Sequence, residues 1–182
     1  MRRGMIEWTI WLALGFYFLA LILDLLGARS LGCRRFGRLV WTAGCAFAWA
    51  HLAAAFNFVH GWSHAHAAEE TARRTAELMG WSFGGEIYFN YAFVAVWTGD
   101  VAWRWLAPHS YAERAALISL TVHGFLLFIV VNATIVFEQG PVRIATTAAL
   151  ALLTAVAVGR FSRRVGRRRE SDSNGPSVRG SV

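Results

Sequence analysis

The sequence contains no lysine; all 18 of its basic residues are arginine. Schiff-base chemistry of the retinal or pyridoxal kind needs a lysine amine, so that class of cofactor is excluded. Cysteine is nearly as scarce. Cys33 and Cys45 belong to no C-x-x-C or C-x-x-C-H pattern, which indicates neither a thiol-redox pair nor covalently attached haem. No P-loop, G-x-S-x-G, H-E-x-x-H or desaturase-type histidine box occurs, so the chain reads as something other than an enzyme acting alone. A net charge of +7 invites a nucleic-acid reading, but the arginines sit at the ends of apolar blocks and in the C-terminal tail. Membrane topology accounts for that placement better, and nucleic acid is not an expected partner.

Apolar residues are abundant, 56% of 182 positions, and they are gathered into long blocks. Crossing a ~30 Å hydrocarbon layer takes about 20 helical residues. Five segments have that length: Ile6–Leu26, Leu39–Gly61, Ile87–Leu106, Ala115–Phe137 and Val142–Gly159. Strands are not expected, because an open sheet edge cannot survive in lipid and no alternating ten-residue pattern recurs. The predicted fold is therefore all-α: a polytopic transmembrane bundle of five spans over residues 1–161, followed by a basic, disordered cytoplasmic tail over 162–182. Arg2 and Arg3 ahead of the first apolar run imitate a signal peptide. That run is too long, however, and it carries Asp24 and leads into Arg29, Arg34, Arg35 and Arg38, so it reads as a retained helix.

Arginine counting orients the bundle. With the C-terminus inside, thirteen arginines face the cytoplasm and five (Arg2, Arg3, Arg73, Arg74, Arg143) face outward, which predicts an N-out, C-in protein of the inner (plasma) membrane. The lipid bilayer is then the first partner, with other membrane subunits as further ones. Between the second and third spans, Glu69 with Arg73 and Glu70 with Arg74 form i,i+4 pairs. That spacing predicts a helix over His64–Met79 within an external segment 63–85, with Gly80 as its cap.

Polar groups inside a bilayer are costly, and each needs a reason. The densest group lies at the outer end: Asn57, His60, His64, His66, Glu86, Asn90, Asn132 and Glu138. Asn57, Asn90 and Asn132 fall at one level, roughly 6–8 Å inside the boundary at 1.5 Å per residue. Asn57, His60 and His64 follow i, i+3, i+7 spacing and share a face if the helix runs on through Gly61. His60, His64 and His66 with Glu86 or Glu138 then form a possible metal set, suited to Zn, Cu or Fe. The competing reading is polar packing with no metal. In the third span Glu86, Asn90, Phe93, Trp97, Asp100 and Arg104 make one stripe, either a polar pathway or an interior-facing seam in which Asp100 and Arg104 pair as an inner anchor. Two deeper histidines, His51 and His123, are at similar depth on different spans, the arrangement that holds haem b between axial imidazoles. On straight helices His51 and His60 are about 180° apart, which would separate the deep pair from the outer cluster.

Three functions follow as expectations: a metal- or haem-binding subunit of a redox or metal-handling system, a non-catalytic membrane interaction or assembly protein, and a small transporter or proton-conducting element.

Overall fold

Helix is the only regular structure among the described residues, as expected of a chain whose backbone polar groups must be satisfied within each segment. The computed structural model describes residues 2–27, 31–82 and 85–173. α1 (Arg2–Leu26) is followed by α2 (Leu31–Ala55), which continues into a π-helical turn, Phe56–His60. α3 (His64–Met79), α4 (Glu86–Leu106) and the short α5 (Pro108–Ala112) come next. α6 (Ala116–Val131) also ends in a π-helical turn, Asn132–Val136, and α7 (Pro141–Ser173) closes the chain.

Four of these helices are long and apolar enough to cross a membrane: Gly4–Leu26, Gly32–His60, Ala116–Val136 and Pro141–Arg163. α4 is not one of them. Its 21 residues reach about 31 Å at 1.5 Å per residue, but Asn90, Asp100 and Arg104 lower its hydropathy. α7 also departs from the expectation, since residues 162–173 are helical instead of a disordered tail. Arginine is a good helix former, and here it extends a helix that the apolar span has already nucleated. Residues 174–182 lie outside the described residues.

α1 and α2 pack antiparallel: Phe16 stacks on Phe47 at 5.6 Å between ring centroids, and His51 reaches the Ile6 carbonyl near the start of α1. α4 lies antiparallel to α2, with Trp41 opposite Asp100 and Cys45 opposite Thr98. α6 packs on α4, while α7 packs on α1 and the π turn of α6. At mid-depth Tyr17, Trp41 and Trp97, all buried, meet at centroid distances of 4.9–5.7 Å. Phe93 closes on Trp97 from the side, at 5.4 Å. These rings form a septum across the bundle. In lipid, where hydrophobic burial does not drive helices together, such van der Waals contacts hold them.

Gly44 is where α2 makes room for the septum. A Cβ there would lie 2.8 Å from Trp97 Cζ2 and 3.2 Å from Phe16 Cβ. Trp97 cannot swing away, because Tyr17, Trp41 and Phe93 hold it. Gly44→Ala is expected to lower stability by about 1–3 kcal/mol through overpacking, read as a drop in melting temperature in detergent micelles. Gly99→Ala, with no atom within 4 Å of the added carbon, is the matched control.

Candidate functional site

Two polar constellations lie at opposite ends of the bundle, separated by the aromatic septum. The first surrounds Asp100, whose side chain is 1% exposed. Four groups donate to its carboxylate. Trp41 Nε1 at 2.9 Å, Arg104 Nε at 3.1 Å and the Tyr111 hydroxyl at 3.2 Å meet Oδ2, and Arg114 Nη1 at 2.6 Å meets Oδ1. Arg104 also donates to Asp24 at 3.1 Å, and its guanidinium lies over the rings of Trp41 and Tyr111. Arg114 packs on Tyr111 and donates Nη2–H to His123 Nε2 at 3.2 Å. Because a guanidinium only donates, His123 must carry its own proton on Nδ1. Burial pushes the Tyr111 phenol well above its usual pKa, which keeps it protonated as a donor to Asp100. Two carboxylates and two guanidiniums balance, so the cluster has no net formal charge with His123 neutral.

Sequence spacing identifies only the Asp100–Arg104 pair. Asp24, Trp41, Tyr111 and Arg114 join it through tertiary packing, and Arg114 arrives because α5 turns the chain back after Pro108. Among these residues, the acid in the last turn of the first span, Asp24, was the one visible signal.

The second constellation lines a cavity of about 690 Å³ at the end where α3 crosses the bundle. Its walls come from α1, α2, α4 and α6, and α3 with Met79 and Trp81 roofs it. The two π-helical turns frame it: Phe56 and His60 on one side, Asn132, Ala133 and Thr134 on the other. π turns are rare and concentrate at functional sites. Here they have a specific effect. A π turn advances through a smaller angle per residue, so His51 and His60, which straight-helix geometry sets apart, line the same cavity. Asn90, Asn132 and Glu138 also line it.

Not every expected residue converges. Asn57 stays off the cavity and accepts from Trp62 Nε1 at 3.3 Å. His60 and His64 do not share a helical face, because Gly61 and Trp62 both take positive φ, 55° and 61°, and end the helix. His64 instead meets the Tyr91 hydroxyl at 2.9 Å, and the ring partner of His60 is His66, at 5.5 Å between centroids. The side chain of Glu86 lies outside the described residues. Among the described residues no three His, Cys, Asp or Glu side chains group closely enough to hold a metal ion.

The two deep histidines are not brought together in this structure. His123 is beside Trp41, with ring centroids 5.4 Å apart, and Trp41 is ten residues from His51 along α2, about 15 Å at 1.5 Å per residue. His123 Nε2 is already occupied by Arg114, and His51 donates Nδ1–H to the Ile6 carbonyl at 3.1 Å. The stripe on α4 is likewise no continuous polar pathway, since Phe93 and Trp97 belong to the septum between its two ends.

α3 roofs the cavity with small residues. Ala67 and Thr75 are buried, Thr71 lines the cavity, and the hydroxyls of Thr71 and Thr75 bond back to the Ala67 and Thr71 carbonyls. Its N-terminus is capped by Ser63, which accepts from His66 N–H, and Glu70, partly buried, is held by Arg73 and Arg74. Those guanidiniums hold the Glu70 carboxyl down to about pKa 2. No protein-family model, curated protein or solved structure matches the chain.

Two predictions follow from these contacts. Asp100→Asn leaves two buried guanidiniums under-compensated and is expected to cost about 3–5 kcal/mol, measured by unfolding in mixed micelles. Asp24→Asn, at a carboxylate 47% exposed, should cost under about 1 kcal/mol. For α3, the lowered Glu70 pKa means its stabilisation is full above the ordinary carboxylate value of 4.5 and is lost as pH falls from there toward 2. Helicity followed by circular dichroism should fall over that window in the wild type, and this component should be missing in Glu70→Gln.

Proposed function

We propose that this chain is a five-span plasma-membrane protein, N-terminus out and C-terminus in, whose outer half binds a small amphipathic molecule. The cavity roofed by α3 carries the reading. Its volume of about 690 Å³ lies within the ~300–1,000 Å³ range of small-molecule sites, and its apolar walls are punctuated by a few polar groups on separate helices. α4 serves as the fifth span: packed between α2 and α6, it keeps Asp100 and Arg104 off the lipid. The arginine asymmetry, thirteen against five, supports the direction, and with it the cavity lies in the outer half of the bundle.

One observation favours a second reading. The His60 and His66 rings meet edge to face at 5.5 Å, close enough for both imidazoles to reach one Zn, Cu or Fe ion with outside ligands completing the shell. In that case His60→Ala or His66→Ala should abolish stoichiometric metal measured on purified protein.

Two measurements test the main reading. A reporter fused after Val182 should be active in the cytoplasm and one inserted at Ala68 outside; a C-terminal reporter active outside overturns the five-span count or the direction. Native mass spectrometry of protein released from nanodiscs should show one tightly held amphiphile per chain. Ala133→Trp, at an exposed position that lines the cavity, should lose that adduct while keeping the wild-type melting temperature. A wild type that carries only exchangeable annular lipid overturns the binding site.

A further inference from the structure

We infer that the occupant of the cavity is an uncharged amphiphile with a flat, oxygen-bearing ring as its head, a lipid-soluble quinol or quinone, and neither a fatty acid nor a phospholipid. The inference rests on the binding-site reading above and specifies its ligand.

Charge comes first. The lining holds one arginine and one glutamate, Arg74 and Glu138, so its formal charge sums to zero. Arg74 is held by Glu70, which also takes two bonds from Arg73. A carboxylate or phosphate entering here would face a cation already engaged by one carboxylate, with a second, Glu138, in the lining. Removing an anion from water without a dedicated cation is strongly unfavourable. An uncharged head meets no such cost.

The shape and polar chemistry of the walls narrow the class. Phe56, Phe89, Phe93, Phe128, Phe137 and Trp81 give the cavity aromatic faces on several sides, against which a planar ring can stack. The neutral polar groups His51, His60, Asn90 and Asn132 sit on three different helices, so they can meet oxygens at more than one edge of that ring. His51 is the most informative. Its Nδ1–H is committed to the Ile6 carbonyl, which leaves Nε2 as a bare acceptor. A phenolic hydroxyl supplies the matching donor. Asn132 uses one amide hydrogen on the Phe128 carbonyl and retains the other, with its Oδ1, for the opposite edge. A quinol offers hydroxyls at both edges, and its aliphatic tail suits the apolar wall of Ile10, Leu14 and Leu52.

The test uses the full chain in phosphatidylcholine nanodiscs, titrated separately with decylubiquinol, oleate and dodecanol. Binding is read as saturable change in tryptophan emission above empty discs and confirmed as a one-to-one adduct by native mass spectrometry. Decylubiquinol is expected to bind at least about tenfold more tightly than oleate or dodecanol. His51→Leu and, separately, Asn90→Leu should each weaken it up to about tenfold, the scale of one hydrogen bond. Asn90 is an exposed side chain, so that variant keeps the test valid if His51→Leu fails to fold. Equal binding of all three compounds, each lost in Ala133→Trp, overturns the head-group assignment and leaves the amphiphile site standing. Tighter binding of oleate also overturns it. Saturable binding of none overturns both.

Discussion

A carboxylate shut away from water constrains this protein more than any other group. Asp100 sits at 1% side-chain exposure between the helices at one end of the bundle, where an uncompensated negative charge would be far too costly to keep. Its compensation comes from four donors on α2, α4, α5 and the turn before α6, and Arg104 extends the cluster to Asp24 on α1. Each donor is useful only within about 3 Å, so satisfying one carboxylate fixes five segments against one another. The surrounding rings of Trp41 and Tyr111 exclude water and thereby strengthen every bond inside.

That clamp explains why a cavity is tolerated at the other end. The septum of Tyr17, Trp41 and Trp97 is built directly on the clamp, since Trp41 both donates to Asp100 and packs on Trp97. Beyond the septum the helices are free of this constraint. Two of them loosen into π turns, and the space between is roofed by a helix with a small-residue inner face instead of being filled by large side chains. The result is a cleft of about 690 Å³ with polar side chains contributed by three helices.

The charge pattern divides in the same way. At the Asp100 end, acids and bases neutralise one another inside the bundle. At the α3 end, Glu70 and Glu77 balance Arg73 and Arg74, and the mostly apolar cavity lining, with Arg74 and Glu138, carries no net formal charge. Both ends therefore offer little to a free ion.

The sequence by itself determined the helical class, the positions of the apolar blocks, the α3 segment with its Gly80 end, and the Asp100–Arg104 pair. These are local matters of composition and i,i+4 spacing, which a linear pattern records directly. Only the tertiary structure decided the rest. Arg114 and Trp41 reach Asp100 across 14 and 59 residues of chain, and no periodicity encodes such a meeting. The pairing of His60 with His66 instead of His64 follows from two consecutive positive-φ residues, one of them a tryptophan that gives no hint of it. The shared cavity of His51 and His60 depends on a π turn, which changes the angle between residues without altering their spacing. Sequence reasoning assumed a straight helix, and that single assumption placed the two histidines on opposite faces.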